Sequence, residues 1–156
     1  MKYSASLDRD ANYQIVPGGL PFLERKTVAF TGAAGLGATG ATTRFTVTGD
    51  VVVGIFATCT EDLVGDTATL EVGISGNTAA LIAQTTATNI DSGESWFDSS
   101  PATVEAMPDL VNHGSVIVNG ADIIETVGTA NITDGTLNYY CFWRPLSSDG
   151  SVVATT

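Results

Sequence analysis

Three glycines, Gly35, Gly37 and Gly40, spell G-x-G-x-x-G directly after the apolar run Val28 to Phe30. That spacing belongs to dinucleotide-binding turns, where glycines let the backbone approach a pyrophosphate at a helix N-terminus. The chemistry requires a helix next, and Ala41-Thr42-Thr43-Arg44-Phe45-Thr46-Val47-Thr48 is a poor one. Its β-branched side chains lose rotamer freedom in a helix. The run alternates instead, with Phe45 and Val47 on one face and Arg44, Thr46 and Thr48 on the other. Gly49-Asp50 then turns the chain directly into Val51, leaving no room for the crossover a parallel pair needs. The fingerprint T-G-x-x-x-G-x-G fails as well, because Thr31-Gly32 stands one residue too close to Gly35. No nicotinamide or other cofactor is expected; the glycines read as a flexible connection between strands.

Other candidate chemistry is thin. His113 is the only histidine, and no serine or cysteine stands at a supporting spacing. Asp91, Glu94, Asp98, Glu105 and Asp109 could supply the paired carboxylates of a glycosidase, with Trp96 and Phe97 stacking on a sugar ring. The plainer reading is a solvated acidic loop in which Trp96 plugs the end of a β-sandwich. The same carboxylates lack a calcium-loop pattern. Cys59 and Cys141 have no CxxC spacing for zinc. A disulfide between two sheets stays open for them, with buried free thiols favoured if the protein is made in a cytoplasm. No catalytic residue and no metal site is therefore assigned, and the expected work of this chain lies in its surface.

What would position such a surface is a β-rich domain. The 156 residues suffice for one domain with a substantial core. Twenty-two threonines and seventeen glycines against two lysines favour strands and turns. The net charge of −11, with four of the six basic residues in the first 26 positions, excludes a phosphate-neutralising patch. Direct nucleic-acid binding is thus excluded. Met1 to Asp8 has no apolar signal-peptide core and no stretch resembles a membrane span, so cytoplasmic synthesis without a membrane partner is expected.

Residues 1–26 read as an irregular N-terminal arm, interrupted by Pro17-Gly18-Gly19-Leu20-Pro21. Tyr13, Ile15, Val16, Leu20, Phe22 and Leu23 make it too apolar for a free tail. Residues 27–156 read as an antiparallel two-sheet β-sandwich, jelly-roll-like, with strands near 27–31, 41–48, 51–60, 68–75, 79–86, 115–118, 121–127 and 136–144. Asn119-Gly120 is the strongest hairpin signal, since a type I′ turn wants positive φ at both positions. Leu137, Tyr139, Cys141 and Trp143 share one face of the last long strand, and Asn138, Tyr140, Phe142 and Arg144 share the other. Residues 91–114 form the one long interruption.

Three segments, "TVTGDVVVGIFATCTEDLVG", "ATLEVGISGNTAALIAQTTATNIDSGESWFD" and "ANITDGTLNYYCFWRPLSSDGSVVA", resemble small proteins encoded beside the head genes of tailed bacteriophages. The resemblance covers most of the chain from Phe30 onward. It implies a β-rich, non-enzymatic virion protein, a capsid decoration module, often trimeric, bound where major capsid proteins meet. Its partners would be the major capsid protein and its own copies, and its location the capsid surface. No catalytic residues carry over. The interface is expected in the arm, at Tyr13, Ile15, Leu20, Phe22 and Leu23, and at Tyr140 and Phe142 on the aromatic strand face. Two alternatives are a glycan- or receptor-binding fibre tip using Trp96 and Phe97, and a structural subunit of the tail or connector.

Overall fold

A computed structural model describes residues 21–104, 106–108, 110 and 114–156. In chain order the strands are β1 (Phe22–Ala29), β2 (Gly40–Thr48), β3 (Val51–Val64), β4 (Thr69–Ile74), β5 (Asn77–Thr86), β6 (Ser95–Trp96), β7 (Ser115–Ile117), β8 (Ile123–Gly128), β9 (Asp134–Pro145) and β10 (Ser151–Ala154). They form two five-stranded antiparallel sheets. One runs β1-β9-β3-β6, with β7 also paired to β3; the other runs β10-β2-β8-β4-β5. The expected all-β, two-sheet sandwich is observed. A jelly roll is a statement about connectivity, and the pairing of β2 with β8 and of β3 with β9 does not establish it.

Alternation explains the core. Across β1, β9 and β3 the register aligns Val28 with Leu137 and Cys59, and Phe22 with Trp143 and Val53. Leu137, Tyr139 and Cys141 are fully buried, as the two-residue period of β9 requires. Phe45, Val47, Leu70, Val72, Ile82, Ile123 and Val127 face them from the second sheet. Each such side chain contributes about 1.5–3 kcal/mol by leaving water.

Four local expectations change. Strand β1 begins at Phe22, five residues inside the expected arm, because its backbone pairs with β9 from Phe22↔Trp143 to Ala29↔Thr136. Asn119 and Gly120 have φ of 57° and 65°, so the left-handed turn is present. Yet β7 and β8 belong to different sheets, and the turn is an inter-sheet corner rather than a hairpin. It is pinned where Asn119 N–H donates to Asp50 Oδ1 (2.9 Å) and Gly120 N–H donates to the Gly49 carbonyl (2.9 Å). Gly49-Asp50 likewise carries the chain from β2 in one sheet to β3 in the other. Finally, a β-bulge between Thr43 and Phe45 breaks the alternation of β2. Arg44 and Phe45 consequently both point into the core.

The glycine stretch connects β1 to β2, as expected, but it is closely tied. Leu36 carbonyl accepts from both Thr31 and Gly32, and the Gly37 carbonyl accepts from Ile132 N–H at 2.8 Å. Gly37 has φ +103°, and a Cβ there would collide with the Ile132 carbonyl.

Candidate interaction surface

Antiparallel register builds an aromatic row on the outer face of the first sheet. Arg25, Tyr140 and Phe56 are cross-strand neighbours, and so are Leu23, Phe142 and Gly54. Phe56 stacks on Tyr140 with centroids 4.9 Å apart and lies 6.3 Å from Phe142. The Arg25 guanidinium sits 5.5 Å above the Tyr140 ring, a cation–π contact. All three rings are half-buried. The row therefore presents apolar area together with positive charge on an otherwise acidic chain.

Gly54 keeps one part of this face low. A Cβ there would collide with the Leu110 carbonyl oxygen, so Leu110 lies directly against the Gly54 backbone. Toward one end of the same sheet stand four exposed apolar residues. Phe22 stacks on Trp143 at 4.6 Å and is half exposed. Val116, opposite Val52, and Val118 and Leu146 complete the group. The Trp143 Nε1–H is buried without an acceptor among the described residues. Phe22 shares the inward parity of Trp143 and Val53, whereas Val116 shares the outer parity of Val52, so the four do not form one continuous patch.

The expected site residues divide. Tyr13, Ile15, Val16 and Leu20 lie outside the described residues. Phe22 and Leu23 belong to β1, and Leu23 adjoins the Tyr140–Phe142 face expected from the strand pattern. Trp96 is a core residue. It is fully buried, donates its Nε1–H to Thr85 Oγ1 at 2.9 Å and meets Tyr139 edge-on at 6.4 Å. Phe97, its neighbour, is half-buried. Asp91, Glu94 and Asp98 lie in the loops on either side of β6. Glu94 accepts from the Asp91 N–H at 2.9 Å and Asp98 accepts from the Ser100 N–H at 2.7 Å, as loop carboxylates commonly do. Glu105, Asp109 and His113 lie outside the described residues. Among those described, no group of three or more His, Cys, Asp or Glu could hold a metal ion.

Cys59 and Cys141 are free, buried thiols. Burial pushes the Cys141 thiol up to about 12 and raises that of Cys59, so neither favours the reactive thiolate.

Sequence reasoning missed a buried polar cluster. Arg44 Nη2 donates to Glu125 Oε1 at 2.5 Å, and Nη1 donates to the Gly35 carbonyl at 2.9 Å. Tyr139 Oη donates to Glu125 Oε2 at 2.7 Å, so the cluster ties β2 and β8 of one sheet to β9 of the other. Burial first, and then the Glu125 carboxylate, hold the Tyr139 phenol well above its usual range. The signal for Arg44 was its place on the polar face of an alternating run, and the bulge cancelled it.

No known family profile matches the chain, and no curated protein does. Among solved structures, a chain of the cyanophage Pam1 capsid asymmetric unit matches with a TM-score of 0.50 and 20% identity. The match spans 93% of this chain and 100% of that one. At that identity the likeness is one of fold.

Proposed function

We propose that this protein is a non-enzymatic structural component of a phage virion, a decoration subunit that binds the assembled capsid from outside. The observation that carries the reading is the fold likeness, which takes in the whole of a chain from a cyanophage capsid unit. Its supports are the phage-like sequence segments and the apolar, arginine-bearing face around Phe56, Tyr140 and Phe142. A subunit that binds only the expanded shell stabilises that state by mass action, without chemistry of its own. The partners would be the major capsid protein and further copies of this chain, as a homotrimer. The apolar residues Tyr13, Ile15, Leu20, Phe22 and Leu23 would extend the contact onto a neighbour. Of the two aromatic residues a glycan-binding fibre tip would use, Trp96 is buried and Phe97 half-buried, which favours the decoration reading.

Co-sedimentation with emptied, expanded capsids lacking this protein tests the reading, with isolated tails as the comparison. Saturable binding to capsids alone is expected. Binding to tails alone, or to neither, would overturn it.

A further inference from the structure

The outward face of the first sheet is sorted by charge. Arg25 shares its row with Tyr140 and Phe56, and the rows on either side, which begin at Leu23 and Thr27 on β1, hold no acidic side chain. The chain has 17 acidic residues against 6 basic ones, so adjoining rows with an arginine and no carboxylate depart from its average. Interface centres have this composition, with aromatic rings and arginine enriched and aspartate and glutamate depleted.

Arg25 is exposed and keeps its donors. Its contact is with the Tyr140 ring, 5.5 Å away, and it has neither a hydrogen bond nor a carboxylate partner among the described residues. Glu24, beside it in sequence, belongs to the opposite face of β1 and accepts from the Ala154 N–H at 3.4 Å. Arg144 faces outward as well, opposite Val52, but is not free. A guanidinium resting on an aromatic ring still offers a fork of N–H groups that fits a carboxylate bidentately.

We propose that this face takes a carboxylate-bearing segment of the shell, with the acidic group on Arg25 and its apolar neighbours on the Tyr140, Phe56 and Phe142 rings. The inference rests on the reading above that the protein binds a capsid from outside. Charge selects the occupant. A second copy laid face to face would set arginine against arginine, and its own three rows supply no carboxylate to answer Arg25.

The test is co-sedimentation with emptied, expanded capsids, either intact or with their surface carboxylates amidated by carbodiimide and ethanolamine. Amidation should weaken binding of the wild-type chain about tenfold or more, a loss of roughly 1.4 kcal/mol. Arg25→Gln should bind intact capsids about as weakly, with unchanged far-UV circular dichroism. It should lose nothing further on amidation, because the two changes remove one contact. Arg25→Lys keeps the charge and should remain sensitive to amidation. Glu105 and Asp109, near Leu110 in sequence, lie outside the described residues, and Glu105→Gln/Asp109→Asn should bind as the wild type does. Tighter binding by that variant would make this chain's own segment the occupant of Arg25 and overturn the proposal. Equal losses on amidation for wild type and Arg25→Gln would overturn it too, while leaving the capsid-binding function standing. Absence of binding to intact capsids would overturn that function, and this inference with it.

Discussion

Arg44 and Glu125 meet at 2.5 Å between the two sheets, with only 3% and 1% of their surfaces exposed. Charges this deep repay their desolvation only through close pairing and further hydrogen bonds, which Gly35 and Tyr139 supply here. The cluster is therefore a device for holding two sheets in one register, and its parts depend on one another.

Removing one partner should be costly. Arg44→Met and Glu125→Leu should each destabilise the domain by about 3–5 kcal/mol in urea denaturation, since each strands a buried charge. The combined Arg44→Met/Glu125→Leu/Tyr139→Phe variant leaves none stranded and should recover most of the loss. A triple variant no more stable than the worse single one would contradict this account.

Alkali should unfold the protein through buried acids. Tyr139 and Cys141 both have folded-state pKa values above their ordinary ones of 10.0 and 9.0. Below those ordinary values folded and unfolded chains bind the same protons, and stability does not change with pH on their account. Above about pH 9 the unfolded chain releases the Cys141 proton first, so stability falls by about 1.4 kcal/mol per pH unit, until about pH 12. Tyr139 adds a second such slope above about pH 10. Cys141→Ala should flatten the first slope to the part that Cys59, whose thiol is also raised, contributes, and keep the second, as measured by denaturation midpoints from pH 7 to 11.

Two glycine substitutions should act differently. Gly37→Ala places a side chain at φ +103° against the Ile132 carbonyl and should cost more than about 1 kcal/mol of global stability. Gly54→Ala has ordinary φ but collides with the Leu110 carbonyl, so it should push Leu110 off the sheet. Hydrogen exchange should then quicken around Leu110 while amides in β3 and β9 stay protected. Equal exchange in wild type and variant would mean that Leu110 does not rest on Gly54.

Deletions at the N-terminus distinguish arm from sandwich. Removing residues 1–20 leaves β1 entire and should leave far-UV circular dichroism unchanged. Removing 1–23 deletes the Phe22–Trp143 stack and the Leu23–Phe142 pair, and should lower the melting temperature. On the proposed function, the shorter deletion and Tyr140→Ser/Phe142→Ser should each weaken capsid binding about tenfold, or roughly 1.4 kcal/mol. Undiminished binding in both would place the attachment surface elsewhere.

Much of this was legible in the residues. The alternation of Leu137, Tyr139 and Cys141 with Asn138, Tyr140 and Phe142 placed the inner and outer faces of β9 correctly, because strand periodicity is a local property of the backbone. Asn119-Gly120 announced its left-handed geometry for the same reason. Burial of Trp96 agrees with its size and apolarity.

Pairing was not legible. Whether a turn closes a hairpin or a corner between sheets depends on which distant strand offers the better face, so Gly49-Asp50 and Asn119-Gly120 look alike in sequence from either side. The outer row of Arg25, Tyr140 and Phe56 draws on three strands from opposite ends of the chain, joined only by register. Local chemistry thus determined most of the longer strands and the strand, in place of a dinucleotide helix, that begins at Gly40, while β6 and β10 were not among the expected strands. Tertiary structure alone turned Arg44 inward, because a one-residue bulge costs little locally and is repaid only when Glu125 and Tyr139 arrive from other strands.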